Sequence, residues 1–107
     1  MVIVVNRFRV PEPEGEAFRG DLQRAYDALA ERPGFLTGTM GRNVDDPTLW
    51  VLTTTWEHVG AYRRALSSYD VKLHAVPTLG RALDEPSAYE AAEAGTDLNT
   101  RRARSLG

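Results

Sequence analysis

Four side chains in this sequence stand out for the chemistry they could perform together: Asn6, Trp56, Tyr62 and His74. Under the period-two geometry of a strand, Asn6 falls on the same face as Val2, Val4, Phe8 and Val10. A buried amide whose hydrogen bonds are unmet costs about 1–3 kcal/mol, so something must satisfy it. A ligand or water in a pocket is one answer, and a backbone bond to a neighbouring loop is the ordinary one. His74 is one of two histidines, and imidazole suits either ligation of a heme iron or proton transfer near neutral pH. Its ordinary reading is a half-buried helix histidine bonded to backbone. Trp56 and Tyr62 are large aromatics at a strand end and on a following helix, where they can line a pocket or simply fill the core. The second histidine, His58, sits where a helix cap is expected and takes a structural or exposed role.

Other chemistries are set aside residue by residue. The absence of cysteine removes disulfide scaffolds, zinc fingers, iron–sulfur clusters and thiol nucleophiles, leaving oxygen and nitrogen side chains to carry any reaction. Asp45 and Asp46 belong to a turn, where aspartate is favoured for local hydrogen bonding rather than acid–base work. No His/Asp/Glu cluster has metal-ligand spacing, and no nucleophile-elbow signature accompanies the serines. Gly38 and Gly41 stand in a strand-like run and do not form a phosphate loop; Gly38 marks a bulge or a close backbone approach.

The elements that must position these residues can be read in order. A first strand runs from Val2 to Val10 and ends at Pro11 and Pro13. A helix comes next, with Glu14 and Glu16 near its N-terminus and Phe18, Leu22, Ala25, Tyr26 and Leu29 on one stripe, closed by Arg32-Pro33-Gly34. Phe35–Asn43 and Thr48–Trp56 form a β-hairpin through Val44-Asp45-Asp46-Pro47. Both faces of its second strand are bulky or β-branched, which predicts helices on one side and a partner sheet on the other. His58–Ser68 is a short second helix, and Asp70 caps a further turn or two in which Val71 and His74 share a face. Pro77 and Gly80 interrupt the chain beyond that turn. Ser87–Glu93 has helical propensity, yet a βαββα order needs one more strand to close, so a strand is assigned there. Residues 1–94 make one domain and residues 95–107 a polar tail with Arg101, Arg102 and Arg104.

The whole chain narrows the partners. A length of 107 residues suits one domain that gains from self-association. A formal net charge of −2 provides no basic field for nucleic acid. The apolar start, broken by Asn6, Arg7 and Arg9, falls short of a signal-peptide core, and no run approaches the ~20 apolar residues of a membrane span. The expectation is a cytoplasmic protein with no membrane partner.

Arg32-Pro33-Gly34-Phe35, the junction Thr55-Trp56-Glu57 with Ala61-Tyr62, and the intervening Asp45-Asp46-Pro47 hairpin together resemble the antibiotic biosynthesis monooxygenase family, from about Val2 to Glu90. That resemblance implies an α+β, ferredoxin-like βαββαβ subunit forming a dimeric α/β barrel, with an apolar pocket between sheet and helices. It implies a homodimer that takes a small aromatic substrate, and a monooxygenase reaction of a phenol or hydroquinone with O2 that needs no cofactor. In cofactor-independent relatives a strand-end tryptophan and a tyrosine six residues later line the pocket, and Trp56 and Tyr62 match them. An asparagine four residues before the tryptophan is also expected, and Leu52 stands there instead. In heme-degrading relatives a first-strand asparagine and a histidine iron ligand match Asn6 and His74, while Ala65 occupies the place of their helix tryptophan. Heme binding is therefore the alternative, with His74 as the iron ligand, and a non-catalytic small-molecule-binding dimer is a third reading.

Overall fold

The computed structural model describes residues 1–99, and Arg101, Arg102 and Arg104 of the tail lie outside them. β1 is Val2–Arg9, ended by Val10 and Pro11; a 3-10 turn at Glu12–Glu14 leads into α1, Gly15–Ala30. Phe18, Leu22, Ala25, Ala28 and Leu29 form its buried stripe, the spacing expected of a helix lying on a core. The turn after α1 needs glycine at position 34, where φ is +88°.

β2 is Phe35–Arg42 and β3 is Leu49–Trp56. The turn between them is held from both ends. Asn43 Oδ1 accepts from the backbone N–H of Asp45 and of Asp46, each at 2.9 Å. Asp46 accepts from the Thr48 hydroxyl at 2.6 Å and from Arg9 at 2.8 Å, and these bonds hold its carboxyl down at about 2. The paired acids therefore serve the turn.

α2, Val59–Ser67, begins at His58, whose Nδ1 accepts from the Ala61 backbone N–H at 3.2 Å, the cap expected of it. α3, Tyr69–His74, is capped by Ser68 rather than Asp70: Ser68 Oγ accepts from the Val71 N–H at 3.4 Å, while Asp70 sits in the first turn. α4 is the single turn Val76–Leu79, with Pro77 at its start, where a missing N–H costs nothing. β4 spans only Ala88–Glu90. The strand required there on topological grounds is present, and shorter than Ser87–Glu93.

The sheet is antiparallel throughout in the order β2-β3-β1-β4, with the helices on one face: an α+β, ferredoxin-like βαββαβ fold. On the helix side Val2, Val4 and Phe8 of β1 meet Trp50, Leu52, Thr54 and Trp56 of β3, all buried. On the other side Ile3 and Val5, with Leu49, Val51, Thr53 and Thr55, are only partly covered. The bulge in β2 lies between Phe35 and Thr37, whereas Gly38 is the close approach: a Cβ there would stand 2.6 Å from Tyr26 Cε2. Tyr26 also donates its hydroxyl proton to the Gly38 carbonyl at 3.2 Å. Gly38→Ala must displace that ring, and urea unfolding should show a loss of about 1–3 kcal/mol, with no loss counting against the contact.

Candidate functional site

Trp56 ends β3 and is fully enclosed. Its indole N–H donates to the buried Thr54 hydroxyl, two residues earlier on the same strand face, at 2.9 Å. Phe35 meets it edge-on at 5.3 Å between centroids, and Tyr62 of α2 lies tilted at 5.5 Å. The indole is thus fixed in direction, and its only donor is already used.

Tyr62 leads from this aromatic cluster to Asn6. Burial pushes its phenol above the usual value, and polar contact with the Asn6 side chain draws it part of the way back. The phenol therefore stays a neutral O–H donor at physiological pH. Both residues keep partial exposure. Asn6 pairs across the sheet with Leu52, and both face the helices. The position where cofactor-independent relatives carry an asparagine is thus apolar here, with an amide directly opposite on the adjoining strand.

His74 does not join them. Although the spacing in α3 predicts that Val71 and His74 turn the same way, Val71 is buried and His74 is exposed. His74 lines a groove of about 400 Å³ between α1 and α3 with Arg24, Asp27, Ala28, Glu31 and Asp70. Asn6 is not in the wall of that groove, which carries three carboxylates, Asp27, Glu31 and Asp70. Ala65, at the place of the missing tryptophan, is buried in α2. Among the described residues, no three His, Cys, Asp or Glu side chains gather into a metal-binding group.

Four surface cavities among the described residues are lined by other side chains than Asn6, Trp56 and Tyr62. Sequence reasoning missed Thr54 as a member of the site. Its signal was available, since a threonine two residues from a tryptophan on a buried strand face must find a partner.

The fold and the aromatic strand end define the class, and the comparisons agree. The chain belongs to the antibiotic biosynthesis monooxygenase family, whose model matches residues 1–75. Among solved structures it is similar to SnoaB of Streptomyces nogalater, a cofactor-independent oxygenase. With a mutant form of SnoaB it shares 27% identity at a TM-score of 0.75, over 90% of this chain and 97% of that one. The fold also recurs in Rv0793 of Mycobacterium tuberculosis, at 17% identity and a TM-score of 0.68, over 89% and 98% of the two chains. A comparison with curated proteins finds no match. No helix among the described residues is long and apolar enough to cross a membrane.

Two substitutions check the geometry. Thr54→Val leaves a buried indole N–H without an acceptor and should cost about 1–3 kcal/mol, with a changed near-ultraviolet circular dichroism band; wild-type stability would refute the bond. His74→Ala should leave any spectral response to added hemin unchanged, and a Soret shift lost in that variant would restore His74 as a ligand.

Proposed function

We propose that this protein is a cofactor-independent monooxygenase that oxidises a small phenol or hydroquinone with O2, and that Asn6, Tyr62 and Trp56 form its substrate site. The observation that carries this reading is the placement of these side chains: Asn6 on the helix-facing side of β1, and the Tyr62 ring 5.5 Å from that of Trp56. The likeness to SnoaB, itself a cofactor-independent oxygenase, supports it.

The chemistry asks little of the protein beyond binding. An electron-rich phenolate can itself reduce O2, so the site must bind it, exclude water and favour the ionised form. The Asn6 amide and the neutral Tyr62 hydroxyl donate to the phenolic oxygen and hold its charge. Tyr62 swings from the Trp56 ring to admit the substrate, and the fixed indole forms the wall against which the ring lies. One oxygen atom joins a ring carbon that carries hydrogen: the para carbon of a phenol, giving a quinone, or a carbon beside a hydroxyl of a hydroquinone, giving a hydroxyquinone. The other leaves as water with the two hydrogens that the substrate loses.

The open sheet face completes the proposal. Ile3, Val5, Leu49 and Val51 are its apolar side chains, and a second copy laid against it would cover surface that one chain leaves partly wet. Sedimentation equilibrium at micromolar concentration should return twice the 11.9 kDa chain mass, and the monomer mass would reject the dimer.

An oxygen electrode with a panel of dihydroxynaphthalenes and anthrones tests the reaction. Protein-dependent uptake is expected, falling by about 10²-fold in Asn6→Ala, the range for loss of one preorganised donor. No uptake with any member of the panel, or uptake unchanged in Asn6→Ala, would overturn this reading.

A further inference from the structure

At the other end of β3 lies a second feature that the monooxygenase reading does not use. Trp50 is 4% exposed, and among the described residues its buried indole N–H has no hydrogen-bond partner. This contrasts with Trp56, six residues along the same strand face and about 20 Å away at the rise of a strand. An N–H left without an acceptor in the interior is destabilising, and such a group calls for a reason.

Trp50 forms one wall of a cavity of about 490 Å³ between α1 and the β2–β3 hairpin. Its other walls are Arg19 of α1 and the run Met40, Gly41, Arg42, Asn43 and Val44. The polar side chains there are donors. Asn43 spends its Oδ1 on the turn amides, which leaves its NH2 end free. The Arg42 guanidinium lies 5.4 Å from the centroid of the Trp50 ring, and among the described residues no carboxylate comes within 4 Å of it. Arg19 meets only Glu16, at 3.4 Å with both side chains exposed, a contact of the kind that solvent and salt readily exchange. Among the described residues, no aspartate or glutamate stands in the wall.

We propose that this cleft is a binding site for a small organic carboxylate. Two guanidinium groups, an amide NH2 and a buried indole N–H match the several lone pairs of a carboxylate, and charge-assisted bonds of this kind are the strong ones. Met40, Val44 and the Trp50 ring supply an apolar surface for the carbon body of such a ligand, which a bare inorganic anion would not use. The bound carboxylate pairs with the Arg42 guanidinium beside the Trp50 ring and offers the indole N–H the acceptor it lacks.

The test uses the full chain labelled with 15N, with benzoate as the probe and benzamide as its neutral counterpart. Trp50 and Trp56 provide two indole N–H resonances, which Trp50→Phe assigns. Benzoate should shift the Trp50 resonance in a saturable manner and leave that of Trp56 in place. Benzamide should bind at least about tenfold more weakly, and Arg42→Gln, at an exposed position that leaves the core intact, should weaken benzoate by a similar factor. Any of four results overturns the proposal: no response to benzoate, equal binding of benzamide, unchanged affinity in Arg42→Gln, or a shift confined to Trp56. Because the readout is binding at Trp50, it is independent of oxygen uptake and of the Asn6–Tyr62 site.

Discussion

The register between β1 and β3 is the constraint on which the candidate site depends. It sets Asn6 opposite Leu52, Val2 opposite Trp56 and Phe8 opposite Trp50, with every one of these side chains turned to the helices. A slip of a single residue would send Asn6 to the open face and bury Arg7 in its place. Arg7 is instead held on the open face by a two-pronged bond to Glu85, at 2.8 and 2.7 Å, which lowers the glutamate carboxyl and raises the guanidinium. The ion pair ties β1 to the segment before β4, and the aromatic packing on the other face seats β1 against β3.

The core divides into two aromatic groups at the ends of β3. Phe8, Phe18 and Trp50 pack at one end, with centroids 5.1 and 5.5 Å apart, and Tyr26, Phe35, Trp56 and Tyr62 at the other. Leu52 and Asn6 lie between them. The two indoles are treated differently: Thr54 supplies an acceptor to one, while the other is covered by Arg42 and left without one. The satisfied indole behaves as framework. The unsatisfied one is the donor on which the proposed carboxylate site turns.

Much of this arrangement was legible in the residues. The α1 stripe, the Asp45-Asp46-Pro47 turn and the two-faced β3 are periodic or punctuated strongly enough to be read directly, and each is present. The last strand was not legible locally, because Ala88-Tyr89-Glu90 has helical propensity and only the topology required a strand there. Of the candidate site, the strand period places Asn6 on the helix-facing side and Tyr62 lies beside Trp56, while His74 lines the groove between α1 and α3. Three residues apart on a helix, the Val71 and His74 side chains diverge enough that Val71 reaches the core while His74 lies exposed at the groove beside α1. The Thr54–Trp56 bond had a signal in the two-residue spacing on a buried face, whereas the unpaired Trp50 N–H could not be read from the sequence, since it depends on which neighbour lies within bonding distance in the folded chain.

The central claim is that Asn6 and Tyr62 are the polar contact for a phenolic ligand. Its most direct measurement is the 15N–1H spectrum of the Asn6 side-chain amide as 1,4-dihydroxynaphthalene is added without oxygen, so that binding is seen apart from turnover. The account expects the Asn6 amide and the Tyr62 ring signals to move together and saturate, with His74 unmoved. An Asn6 amide that stays still while the ligand binds elsewhere, or while His74 responds, would contradict it.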